Sequence, residues 1–78
     1  MWSVYILKCR DATYYTGCTS NLEERLKRHN NKEVHYTSTR LPFELITHIV
    51  FKDKYKAYNF ERYLKSGSGK AFAFKRLV

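Results

Sequence analysis

The stretch from Trp2 to Lys8, WSVYILK, constrains the fold more than any other part of the chain, because it carries apolar groups at both parities. Successive strand residues point to opposite sides, which puts Ser3, Tyr5 and Leu7 on one face and Trp2, Val4 and Ile6 on the other. A strand with apolar side chains on both faces belongs in the middle of its sheet. Thr13 to Thr16 is also rich in strand formers, and the short polar Cys9-Arg10-Asp11-Ala12 between the two predicts an antiparallel hairpin.

Downstream, Ser20-Asn21-Leu22-Glu23 matches a capping box, with Ser20 as the cap and Leu22 and Leu26 at helical spacing, so a helix is expected from about Asn21 to His29. Arg25 and His29 lie one turn apart on it, beside the stripe that must face the sheet, while Glu23, Glu24, Lys27 and Arg28 point toward water. Asn30 to Pro42 shows no periodicity and reads as a long polar, basic loop, a kind more often functional than idle. Phe43 to Lys52 alternates as a third strand. Lys54 to Ser66 forms a second helix with Ala57, Phe60 and Leu64 inward and Gly67 as its stop, and a short third helix follows Ser68-Gly69-Lys70 to about Leu77. The order is β-β-α-β-α-α: an α+β fold, a small three-stranded antiparallel sheet flanked by helices, with residues 1–78 read as a single domain.

A chain of 78 residues buries only about 60% of its unfolded surface, so its core needs large side chains, and five Phe, seven Tyr and one Trp supply them. The net charge of +8 speaks of partners instead: a polyanion. The cations are spread among aromatics along the chain, not gathered on one amphipathic helix, which favours nucleic acid over a membrane surface. Trp2 to Leu7 is too short for a signal-peptide core and no run approaches a membrane span, so a cytoplasmic location is expected. Cys9 and Cys18 have neither metal-site spacing nor the density of a secreted scaffold and read as free thiols.

Glu61 interrupts the second helix. It falls four after Ala57 and three before Leu64, in line with residues that should be buried. A carboxylate entering a core needs a partner or a task. One reading is a salt bridge to Arg25; the other is a metal ligand or catalytic carboxylate at the edge of a cleft.

Tyr5, Tyr15-Thr16-Gly17, Arg25, His29 and Glu61 together resemble the GIY-YIG nuclease superfamily, in particular its small standalone members. Val4-Tyr5-Ile6 stands at the first tripeptide and Tyr15-Thr16-Gly17 at the second, and the ten-residue steps from Tyr5 to Tyr15 to Arg25 are similar to the family pattern. The resemblance covers essentially the whole chain and implies hydrolysis of DNA phosphodiester bonds with one divalent ion, Mg²⁺ or Mn²⁺. It makes Tyr5, Tyr15, Arg25, His29 and Glu61 the catalytic set, with Glu61 as metal ligand. The residue chemistry agrees: attack on a phosphodiester needs a base, positive charge for the phosphorane and help for the leaving oxygen. Glu61 is a hard ligand, Arg25 a planar fork for a phosphate, and His29 has an intrinsic pKa suited to proton transfer. Tyr5 and Tyr15 remain equal candidates for the base step, and Tyr14, on the opposite face from Tyr15, is expected to pack or stay at the surface.

Two departures stand out. Cys18 occupies the position where several members carry a lysine, so another cation, Lys8, Lys27 or a loop residue, would replace it. Ser66 to Lys70 contains no asparagine where many members have one beyond the metal glutamate. Lys27, Arg28, Lys32, His35, Tyr36, Arg40, Lys65 and Lys70 are the expected nucleic-acid contacts, with His35 and Tyr36 stacking unpaired bases. Single-stranded or branched DNA is the expected partner, and no obligate protein partner is called for. The competing function is a nucleic-acid-binding module that keeps the fold without cutting; a carboxylate set against a polyanion argues for the nuclease.

Overall fold

The structure, a computed structural model, describes residues 1–78. Strand β1 (Trp2–Cys9) runs between β2 (Tyr14–Thr19) and β3 (Phe43–Phe51), antiparallel to both, so the strand with two apolar faces is the central one. The hairpin closes with Ala12 at a φ of 68° and the Asp11 carboxylate accepting from the Thr13 amide at 3.2 Å. Register pairs Tyr5 with Gly17 and with His48, and Leu7 with Tyr15 and with Leu45. Ile46 is an extra residue at a bulge opposite Ile6 and Leu7, which turns it toward the core.

Four helices complete the chain: α1 (Leu22–Asn30), α2 (His35–Ser38), α3 (Lys54–Leu64) and α4 (Gly67–Arg76). Val4, Ile6 and Cys18 on one sheet face pack against Ala57 and Leu64 of α3 and Ala73 of α4, rimmed by Trp2, Phe51 and Phe60. Each of Val4, Ile6 and Leu64, nearly or wholly buried, contributes about 1.5–3 kcal/mol of transfer free energy. Helices α3 and α4 meet backbone to backbone at Gly69, where any side chain would run into the Tyr63 carbonyl. On the opposite sheet face the fully buried Tyr5 and Leu7 lie with His29 of α1 and Thr37 of α2. The apolar core and this second, polar-tipped layer are therefore separated by the sheet itself.

Several boundaries differ from the sequence expectation. The second strand continues through Gly17 to Thr19, because that glycine makes room for a partner's ring and does not end the ladder. Helix α1 is capped by Asn21, not Ser20: the Asn21 side chain accepts from the Glu24 amide at 3.1 Å, and Thr19 in turn accepts from the Asn21 amide. Helix α3 stops at Leu64, and Gly67 opens α4 with Ser66 as its cap, accepting from the Gly69 amide at 3.2 Å. The loop from Asn30 to Pro42 contains α2, a turn too short to leave a periodic signature.

Candidate active site

The site starts from β1 and β2. At the paired positions Tyr5 and Gly17, the tyrosine ring lies across the glycine so closely that a Cβ on residue 17 would overlap the ring carbons and hydroxyl. Helix α1, held by its Asn21 cap, brings His29 in from above, and the Tyr5 hydroxyl meets His29 Nε2 at 2.9 Å. The other ring nitrogen, Nδ1, is 2.7 Å from Thr37 Oγ1, and the Thr37 hydroxyl donates to the Val34 carbonyl at 3.3 Å. With the threonine proton directed there, Nδ1–H donates to Thr37 and Nε2 accepts from Tyr5, which fixes one tautomer. All three side chains are fully buried.

Electrostatics keeps this line neutral. Burial pushes the Tyr5 phenol well above its usual range, with Tyr15 and Glu61 adding to the rise and Arg25 opposing it. Burial, then the charges of Arg25 and Arg28, lower His29 to about 4, so it is an uncharged acceptor at neutral pH. Gly17→Ala is expected to lower stability by about 1–3 kcal/mol in urea unfolding, because the Tyr5 ring it would displace is pinned by His29 and has nowhere to go.

Around this buried line stands a partly exposed rim. Tyr15 approaches His29 edge-on with ring centroids 5.0 Å apart and lies 6.2 Å from Tyr5. Arg25 is half-buried, and its charge reaches both Tyr5 and His29. The Glu61 carboxylate adds to the rise of the Tyr5 phenol and of the Cys18 thiol, each of which is driven first by burial. Its ion-pair partner is Lys65, one turn on, at 3.2 Å; the salt bridge to Arg25 does not form. No cluster of three or more His, Cys, Asp or Glu side chains converges anywhere. One hard carboxylate, 18% exposed, suits Mg²⁺ or Mn²⁺ held jointly with water and a substrate phosphate, and does not suit a tightly resident ion.

The sequence resemblance rests on Tyr5, Tyr15, Gly17, Arg25, His29 and Glu61, and the fold brings Tyr5, Tyr15, Gly17 and His29 into contact. The family model of the GIY-YIG catalytic domain matches residues 1–75. This chain belongs to the GIY-YIG family. It is 48% identical over 63 residues to the UPF0213 protein CPE1444 of Clostridium perfringens, covering 80% of this chain and 68% of that one. A UPF0213 protein of Bacillus licheniformis is 45% identical over 67 residues, covering 85% and 69%. The solution NMR structure of the UPF0213 protein BH0048 from Bacillus halodurans superposes with a TM-score of 0.61 at 35% identity, over 96% of this chain and 84% of that one. The three-stranded α+β fold expected of a GIY-YIG chain is the fold found.

The lysine position of several family members falls at Cys18, which here faces the apolar core opposite Val4. A lysine would enter that core; the cation beside Tyr5 is instead Arg25. Lys8 is exposed and Lys27 is paired across a turn with Glu23. Among the other expected contacts, Arg28 lies 3.9 Å from Glu33, and Lys32 and His35 are exposed. The Tyr36 ring lies 5.6 Å from that of Tyr15, tilted by 35°. Arg40 is largely committed inside the protein, to Asp11 at 3.1 Å, to the Tyr36 carbonyl and over the Tyr36 ring at 4.1 Å. Lys65 and Lys70 line one cleft together with Tyr14, Leu64 and Phe74. Tyr14 packs edge-on against Phe74 at 5.5 Å. Sequence reasoning missed Thr37. Its only sequence signal is a hydroxyl eight residues after His29 in a polar stretch, and nothing local marks it as a partner.

Proposed function

We propose that this GIY-YIG chain is a divalent-metal-dependent endonuclease acting on DNA. The observation that carries the reading is the Tyr5–His29–Thr37 hydrogen-bonded line, fully buried, with Tyr15 in ring contact with His29 and the charges of Arg25 and Glu61 acting on Tyr5. A surface that merely attracts nucleic acid needs cations; it does not need a desolvated histidine with one nitrogen reserved as acceptor.

The roles follow from chemistry and exposure. Tyr5 is sealed from solvent, with its proton held toward His29, whereas Tyr15 is partly exposed; that difference supports Tyr15 as the ring that meets the attacking water. Tyr5 and His29 hold Tyr15 from behind by ring contacts, and His29 stays uncharged there. Arg25 presents its fork to the scissile phosphate and offsets charge as the phosphorane forms. Glu61, released from Lys65, is the residue that would hold Mg²⁺ or Mn²⁺, whose contribution when bound is to stabilise charge on the leaving oxygen. The freed Lys65 ammonium then has a phosphate to face.

The test is incubation of the purified protein with labelled single-stranded, duplex and branched DNA in Mg²⁺, Mn²⁺ or EDTA. Metal-dependent scission is expected. Arg25→Lys should fold normally yet cut about 100-fold more slowly or worse, since a point charge cannot reproduce a planar fork. Wild-type rates in that variant would reduce Arg25 to an ordinary cation. Binding measured in EDTA should weaken steeply with salt. Three or more phosphate contacts give a log–log slope of about −3 or steeper on duplex, and a slope near zero would remove charge as the main attraction.

One observation favours a second reading, a binding module that does not cut. The 3.2 Å pair with Lys65 neutralises the carboxylate that would hold the metal. Binding without scission under every metal condition would select it.

A further inference from the structure

The strand order leaves β2 and β3 with open edges, and the two edges are not alike. Strand β3 is bulged at Ile46 and carries Glu44, both devices that discourage further pairing. Strand β2 pairs in unbroken register and has neither a charged residue nor a proline. The hairpin fixes which of its groups face outward. The Cys9 N–H donates to the Thr13 carbonyl at 2.8 Å, so that pair points inward, and alternation turns the N–H and C=O of Tyr14 and Thr16 away from β1. Beside them a cleft of about 690 Å³ wraps the edge, with Tyr15 and Tyr36 on one side of the sheet and Leu64, Ala73 and Phe74 on the other. We propose that this edge docks an extended acidic peptide segment of a partner protein, added to the sheet as a further strand beside β2.

Free backbone groups, lining and charge select this occupant. An added strand hydrogen-bonds to the N–H and C=O groups of Tyr14 and Thr16 and sends successive side chains to opposite sides of the sheet. One enters the wall of Leu64, Ala73 and Phe74, and the next turns toward Tyr15 and Tyr36. Nine of the thirteen lining residues are hydrophobic, which suits side chains, and a nucleic acid has no repeating amide donors and acceptors to offer the edge. The charged side chains in the lining are Lys65 and Lys70. Lys65 is held by Glu61 at 3.2 Å, so the exposed Lys70 is the cation left for an acidic residue of the peptide. A second copy of this chain would bring the same lysine and a further net charge of +8 to the contact, which disfavours it.

The test adds capped peptides of about nine residues, in which aspartate alternates with valine, leucine or phenylalanine, to ¹⁵N-labelled protein and follows amide hydrogen exchange. In the free protein the amides of Tyr14 and Thr16 should exchange quickly and those of Tyr15 and Gly17 slowly. Saturating peptide should slow the first two by about ten-fold or more. Methylating every second amide nitrogen of the peptide should weaken binding about ten-fold at one parity and little at the other, because only one set of N–H groups faces β2. Lys70→Glu, an exposed change near the N-terminus of α4 where a carboxylate is tolerated, should keep the melting temperature. It should bind the aspartate peptides about ten-fold more weakly and gain affinity for peptides with lysine in place of aspartate. No slowing at Tyr14 and Thr16 with any of the three peptides, equal loss at both parities, or unchanged binding in Lys70→Glu overturns the proposal. So does slowing of those amides by protein concentration alone, which assigns the edge to a second copy, or by duplex DNA, which assigns it to nucleic acid. None of these readouts needs scission, so the docking edge and the nuclease reading stand or fall separately.

Discussion

Glu61→Gln is expected to reduce cleavage by about 1,000-fold while moving the melting temperature by no more than about 4 °C. The first figure corresponds to removing the single carboxylate able to hold the metal, a loss of several kcal/mol of transition-state stabilisation. The second follows from the pair that the change breaks. Lys65 is 54% exposed and one turn from Glu61, and such an i,i+4 pair contributes about 0.3–0.5 kcal/mol; when the carboxylate goes, the ammonium turns to water. Had Glu61 been the buried partner of Arg25, the same substitution would strand a desolvated guanidinium at a cost of about 3–5 kcal/mol and lower the melt by 12 °C or more, taking about 4 °C per kcal/mol. Melts and DNA binding in EDTA, beside a cleavage assay in Mg²⁺, read both effects. A variant that cuts at the wild-type rate would eliminate Glu61 as the ligand.

The central strand was legible because its pattern has one solution. Apolar residues at both parities from Trp2 to Leu7 admit only a position between two neighbours, and that is where β1 lies. The motif residues were legible as a resemblance, and the strand register explains part of the motif physically, since Gly17 is the position crossed by the Tyr5 ring. The strand runs on past Gly17 to Thr19 because the glycine there is clearance for that ring, not punctuation. Glu61 was correctly singled out as a carboxylate on an inward stripe, but helix geometry also offers a lysine four residues later, and a long side chain at the rim takes the nearer partner. Thr37 was not legible at all. A four-residue helix has no period, and the value of its hydroxyl depends on His29 arriving from another helix.

Acid should unfold this protein through His29 before its carboxylates matter. The ring is fully buried, donates from Nδ1 to Thr37, accepts at Nε2 from Tyr5, and lies near the charges of Arg25 and Arg28. Adding a proton at Nε2 would set two donors against each other and place a third positive charge in the group. The folded protein therefore takes up that proton only near pH 4, whereas the unfolded chain takes it up near 6.5. Between those values the unfolded state binds more protons, so stability falls as pH falls through this window and is flat with respect to His29 above it. A gap from 6.5 to about 4 corresponds to roughly 3 kcal/mol, a large share of what a domain of this size possesses. Asp11, whose carboxyl is held below its usual range chiefly by the Thr13 hydroxyl, adds its loss only at lower pH. Urea unfolding followed by circular dichroism at pH 7, 6, 5 and 4.5 should show the decline beginning near 6.5. His29→Gln should be less stable at pH 7, because it breaks the buried line, yet lose much less between pH 6.5 and 4.5. Thr37→Val, which leaves the Nδ1 proton buried without an acceptor, should cost about 1–3 kcal/mol at pH 7, and Thr37→Ser should recover most of it. A wild-type curve that stays level from pH 7 to 4.5, or one whose slope survives in His29→Gln, would show that the histidine is not held neutral by this environment.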